Sequence, residues 1–154
     1  MQTINFTSIK KDLLVEASQA TAFKVFTEQM ELWWPKSHHV GQCPMTDLVL
    51  EPQVNGRWYS RHEDGSEVNI GQVLKYDPYD LFVLAWQING DFKYDPNLLT
   101  EVEIRFIAEG PKTTKIKFEH KDLQLLGGSK AIDSMDEGWG MILNLYKKQA
   151  ENES

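Results

Sequence analysis

Ile132, Met135, Trp139, Ile142, Leu143 and Tyr146 recur at spacings of three and four between Ser129 and about Ala150. That is the period of a helix that buries one stripe. Ser134 followed by Glu137 has the form of a capping box, so the pattern allows a start at either Ser129 or Ser134. Gly138 and Gly140 flank Trp139, each at a cost of about 1 kcal/mol relative to Ala inside a helix. Their presence points to close backbone approach, or to space, around the tryptophan. The chain before this helix reads mostly as strands, and a lone amphipathic helix after many strands must bury its stripe against their sheet. The expected architecture is a sheet curled around the helix, with the functional part in the gap between them.

The earlier elements follow in order. Ile9 to Glu16 reads as a strand, and Ser18 caps a helix whose buried stripe is Ala22, Phe23 and Phe26. A second helical turn, Met30 to Trp34, ends at Pro35. The stretch from Pro35 to Met45 reads as an irregular loop. A meander comes next: Leu48 to Gln53, a hairpin signal at Asn55-Gly56, Arg57 to His62, a turn at Asp64-Gly65, and Glu67 to Tyr76 closed by Asp77-Pro78. Leu81 to Ile88 ends at Asn89-Gly90, and the strands Thr100 to Glu109 and Thr113 to Lys121 complete the set. In these last two, Val102, Ile104, Phe106, Ile116, Phe118 and His120 alternate with charged residues, as expected for an antiparallel sheet with one wet face. The fold class is α+β, and the 154 residues are expected to form one domain.

Composition closes off several functions. A formal charge of -7 with scattered basic residues argues against nucleic-acid binding. Apolar runs are too short to span a bilayer, and Met1 to Phe6 lacks the features of a signal peptide, so a cytoplasmic location is expected. Cys43 is the only cysteine, which rules out an internal disulfide and a thiolate zinc site. No nucleophile elbow, phosphate loop, dinucleotide fingerprint or zinc-protease signature occurs. Neither a cofactor nor a metal is expected.

Five pieces of sequence then run in a familiar order. They are Leu32-Trp33-Trp34-Pro35; Leu50-Glu51-Pro52 with Gly56-Arg57-Trp58; Gly71-Gln72-Val73-Leu74 closed by Asp77-Pro78; Leu84-Ala85-Trp86; and Gly138-Trp139. Together they resemble the activator of heat-shock protein 90 ATPase homologue-like family, within the START-like (SRPBCC) superfamily. The resemblance covers nearly the whole chain. It implies the helix-grip fold: a curved antiparallel sheet of about seven strands around a long C-terminal helix, two short helices after the first strand, and a cavity between sheet and helix. It does not imply one chemistry, because the superfamily holds binders, cyclases, dioxygenase subunits and co-chaperones.

With that cavity in view, Trp34, Trp58, Trp86, Phe106, Phe118, His120, Trp139 and Leu143 are the candidate ligand-binding residues. Ligand pockets are mostly apolar with a few polar groups, although aromatic residues serve plain cores equally well. Trp33 and Trp34 sit at a loop entrance, which suits a pocket mouth as well as packing. Glu51 and Arg57 flank the Asn55-Gly56 turn as an exposed ion pair or as a pair that orients a ligand. His38 and His39 read as loop surface, His62 as surface beside a turn, and His120 as a core histidine or a pocket group. Gly127-Gly128 reads as a turn into the helix, and Cys43 as inert.

The leading expectation is a non-enzymatic domain that binds a small hydrophobic or aromatic molecule. The alternatives are a cyclase- or hydratase-type enzyme, in which Glu51 or His120 moves a proton on a bound carbonyl compound, and a co-chaperone-like partner of the heat-shock protein 90 ATPase.

Overall fold

The computed structural model describes residues 8–35, 44–89, 93–126 and 129–153. The readings for Met1 to Phe6, His38, His39, Gly41, Cys43, Gly90, Gly127 and Gly128, and for the side chains of Ile132 and Ser134, lie outside the described residues. The elements run β1 (Ile9–Val15), α1 (Gln19–Glu28), α2 (Met30–Trp33), β2 (Met45–Leu50), β3 (Arg57–His62), β4 (Glu67–Asp77), β5 (Leu81–Trp86), β6 (Thr100–Gly110), β7 (Thr113–His120), a 3-10 turn (Leu123–Leu126) and α3 (Ser129–Asn152). All seven strands form one antiparallel sheet in the order β1-β7-β6-β5-β4-β3-β2. The first strand therefore joins the last, and a chain of hairpins carries the sheet round to β2.

Alternation drives the pairing. Val102, Ile104, Phe106, Ile116, Phe118 and His120 are buried, while Arg105 and Lys117 on the opposite face are exposed. Register shifts occur in β2 between Met45 and Asp47, in β4 between Asn69 and Gly71 and again between Val73 and Lys75, and in β6 between Ala108 and Gly110. Each extra residue bends its strand, and together they curl the sheet into a half-barrel. The helices fill its concave side. Ser18 caps α1 by accepting the Thr21 N–H at 3.2 Å. In α3, Trp139, Ile142, Leu143, Tyr146 and Ala150 are buried at the expected spacing. The Tyr146 hydroxyl donates to the Ala22 carbonyl at 2.7 Å, tying α3 to α1. This is the α+β helix-grip architecture.

Several boundaries differ from the pattern-based reading. β1 stops at Val15, because the Glu16 N–H turns to the Glu151 carboxylate at 3.0 Å. β2 lies at Met45–Leu50 rather than Leu48 to Gln53. Residues 51–56 form a closed loop instead of a two-residue turn, with Asn55 at φ +66° and its N–H bonded to the Val73 carbonyl at 2.9 Å. β5 ends at Trp86, and Ile88 makes only an isolated bridge to Tyr94. α3, by contrast, begins at Ser129, the first of the two starts the pattern allows, so Ser134 and Glu137 lie inside the helix.

Candidate functional site

Strand register builds the site. Trp58 on β3 faces Gly71 on β4, Gly71 faces Trp86 on β5, and Trp86 faces Thr100 on β6. With no side chain at the second position, the two indoles approach across it to 5.6 Å between centroids. Trp34, just after α2, meets Trp58 at 5.9 Å, and Trp139 from α3 meets Trp34 at 5.7 Å and Trp86 at 5.6 Å. Four indoles thus form a closed ring of edge-on contacts between sheet and helix, the arrangement that the quadrupoles of aromatic rings favour. Phe118 packs against Trp139 in a tilted contact, 4.7 Å between centroids.

One polar thread runs through this ring. The Trp139 Nε1–H donates to Nδ1 of His120 at 3.1 Å. An indole nitrogen can only donate, so Nδ1 is the bare nitrogen and Nε2 carries the proton. Nε2–H then donates to Thr100 Oγ1 at 2.9 Å, and that hydroxyl donates to the Trp86 carbonyl at 2.9 Å. Both nitrogens of a fully buried imidazole are engaged. Burial pushes the His120 pKa down to about 3, so the ring is neutral at physiological pH.

The structure brings together Trp34, Trp58, Trp86, Phe118, His120 and Trp139 from the predicted set. Phe106 belongs to a second cluster, 5.1 Å from Phe23 and 5.9 Å from Phe26, under α1. Leu143 is buried one turn beyond Trp139 and borders a surface groove of about 240 Å³ shared with Lys11, Gly140 and Lys147. Trp33 packs against Phe26 at 5.1 Å and Tyr146 at 5.3 Å, with its N–H on the Val25 carbonyl at 2.9 Å. Its surroundings are those of a core residue.

Two sequence readings are corrected. His62 is buried, not superficial, and its Nε2 lies 2.8 Å from Ser60 Oγ, because β3 turns both residues inward. Glu51 does not pair with the Arg57 guanidinium. Its Oε1 accepts the Arg57 backbone N–H at 2.8 Å, while the guanidinium reaches Glu67 at 3.3 Å and covers the Tyr59 ring at 3.9 Å. Glu51 is thereby the clasp of the 51–56 loop. Sequence reasoning missed Thr100, Gly71 and Ser60 as parts of the site. An isolated glycine inside a strand was the available signal for Gly71; nothing local marks Thr100 or Ser60. Among the described residues, no group of three His, Cys, Asp or Glu side chains is placed to hold a metal ion. No described helix is long and apolar enough to cross a membrane.

A curled antiparallel sheet closed on a long C-terminal helix, with an aromatic site between them, defines a helix-grip domain. No family model matches the chain, and no curated protein matches it by sequence. Among solved structures, it is 31% identical to CalC, a self-sacrificing resistance protein from Micromonospora echinospora, with a TM-score of 0.73 over 96% of each chain. It is 29% identical to Txn09, an anthrahydroquino-gamma-pyrone synthase, with a TM-score of 0.60 over 91% of this chain and 84% of that one. Protein NE0264 from Nitrosomonas europaea shares the fold at 12% identity, with a TM-score of 0.70 over 99% of this chain and 100% of that one. The chain belongs to the helix-grip (START-like, SRPBCC) family that includes CalC.

Proposed function

We propose that the protein is a cytoplasmic binding domain for a small, planar aromatic molecule held between the sheet and α3. The observation that carries this reading is the ring of Trp34, Trp58, Trp86 and Trp139, four large π-surfaces gathered at the place where the fold brings sheet and helix together. Ligand sites of this kind combine aromatic walls with a few fixed polar groups. The likeness to Txn09, whose name specifies an anthrahydroquinone-derived product, supports a fused-ring ligand. The likeness to CalC, a self-sacrificing resistance protein, supports a protective role.

Indole fluorescence tests this directly. Titration of the full chain with a hydroxyanthraquinone should quench the fluorescence saturably, and native mass spectrometry should show a one-to-one complex. No quenching beyond that of free tryptophan, and no complex, would overturn the reading.

Txn09 is a synthase, which favours as second reading an enzyme of cyclase or hydratase type acting on a bound carbonyl compound. Glu51 and His120 are poor proton carriers for it, since the first clasps a loop and the second is a buried neutral ring with both nitrogens engaged. The resemblance to the activator of heat-shock protein 90 ATPase homologue-like family supports a third reading, a chaperone partner. Stimulation of the chaperone's ATPase at stoichiometric protein would bring that reading to the front.

A further inference from the structure

Trp58 is fully buried, yet its indole Nε1–H has no hydrogen-bond partner among the described residues. Trp33, Trp86 and Trp139 contrast with it, donating to the Val25 carbonyl, the Ile88 carbonyl and His120 Nδ1 at 2.9, 3.0 and 3.1 Å. Buried donors are nearly always satisfied, because an unmade hydrogen bond carries the whole desolvation cost of the group. The ring is also fixed in place. Trp34 and Trp86 flank it, and its Cε3 edge lies 3.6 Å from the position a Cβ would take on Gly71. In an indole, Nε1 is on the edge opposite Cε3, so the N–H is not the part of the ring that lies against Gly71.

The rest of β3 sharpens this. Arg57, Tyr59 and Arg61 share the outer face, where both guanidinium groups lie over the Tyr59 ring at 3.9 and 5.6 Å. Trp58, Ser60 and His62 therefore share the concave face, and all three are buried. The Ser60 hydroxyl and His62 Nε2 are 2.8 Å apart. One strand thus presents an indole donor, a hydroxyl and an imidazole at alternate positions of its concave face.

We propose that this stripe of β3 is the oxygen-recognising edge of the ligand site. Trp58 Nε1–H donates to a carbonyl or phenolate oxygen of the aromatic ligand, and the Ser60–His62 pair receives a neighbouring hydroxyl. The inference rests on the binding reading above and narrows its ligand class to oxygenated planar aromatics, of quinone or phenol type, over plain hydrocarbons. A site built to hydrogen-bond a ligand oxygen discriminates against the analogue that lacks it, since its own polar group is then left unpaired.

The test compares 1-hydroxyanthraquinone with anthracene on the full chain labelled with 15N-tryptophan. The hydroxyanthraquinone should bind about ten-fold more tightly or better, as one hydrogen bond to a buried donor implies. The indole N–H resonance of Trp58, assigned through NOE connectivity from its own backbone amide by way of the ring Hδ1, should move downfield with that probe and stay in place with anthracene. Trp58→Phe keeps a ring and removes the donor, so it should weaken the hydroxyanthraquinone more than anthracene and remove most of the preference. The wild-type resonance shift gives an answer even where that variant folds poorly. Equal binding of both probes with a stationary Trp58 N–H would overturn this inference and leave the binding reading intact. Binding of neither would overturn both.

Discussion

Trp139 on α3 donates its indole N–H to Nδ1 of His120 on β7 at 3.1 Å, a hydrogen bond that links the helix to the sheet it lies against. The contact fixes the tautomer of His120, and through Nε2–H it orders the Thr100 hydroxyl and the Trp86 carbonyl. An imidazolium could not accept at Nδ1, so protonation of His120 would break the link at its first step.

A pH dependence follows. His120 has a folded-state pKa of about 3 against an ordinary value of 6.5. Below pH 6.5 the unfolded chain binds the proton and the folded chain does not. This group's contribution to stability is therefore complete above about pH 6.5 and is lost progressively as the pH falls toward 3, to a ceiling of roughly 5 kcal/mol. Urea unfolding followed from pH 7.5 to 3.5 should show that decline, and His120→Gln should flatten it. An equally steep decline in the variant would assign the acid sensitivity to carboxylates instead.

The indole of Trp139 does two jobs that separate variants can tell apart. Trp139→Ala removes the ring that touches Trp34, Trp86 and Phe118, and should cost about 3–5 kcal/mol, as large-to-small core changes do. Trp139→Phe keeps much of that packing and orphans His120 Nδ1, at a cost of about 1–3 kcal/mol. A Trp139→Ala penalty near 1 kcal/mol in chemical denaturation would mean the ring lines open space rather than a packed assembly.

The sheet and its long helix were legible because their signals are periodic. The alternation on β6 and β7 and the three-and-four spacing from Met135 to Tyr146 survive any local disturbance. The site was legible in part. Tryptophans at positions 34, 58, 86 and 139 were identifiable as a set, but their closed ring depends on strand register, which brings residues 58, 71, 86 and 100 into one row. Phe106 obeys the same alternation as Phe118 and still lands under α1, because the direction along the strand, rather than its face, separates the two clusters. His62 was misread for a related reason. Proximity to the Asp64-Gly65 turn suggested solvent, whereas its place two residues after Ser60 and four after Trp58 put it on the concave face.

The glycines of α3 were expected to mark either close backbone approach or space around Trp139, and at Gly140 there is space. A Cβ there would stand 3.7 Å from Lys11 Nζ and 3.8 Å from its Cε, ordinary separations from the end of a flexible side chain. Gly140→Ala should stabilise the protein by about 1 kcal/mol, the usual gain in a helix interior. Thermal unfolding checks this, and a fall in melting temperature would mean that the groove beside Lys11 tolerates no filling.

Gly71 is the opposite case, and here the structure makes its sharpest demand. A Cβ at this position would run into the Ala85 carbonyl oxygen and lie 2.8 Å from the Ala85 carbonyl carbon, both backbone atoms of β5 that no rotamer change can move. Its backbone does not require a glycine by a positive φ; the requirement is space. Gly71→Ala must push β4 from β5 in the row that holds Trp58 and Trp86 at 5.6 Å. Overpacking of this kind costs about 1–3 kcal/mol and more where backbone must shift. The variant should melt earlier than wild type, and its near-ultraviolet circular dichroism should change because the coupled indoles separate. Gly65→Ala serves as the comparison, since its left-handed φ of +84° is strained by a side chain while nothing lies within 4 Å of the new methyl. That variant should lose stability and keep the wild-type tryptophan spectrum. An unchanged spectrum in Gly71→Ala would show that the Trp58–Trp86 contact does not depend on the missing side chain between them.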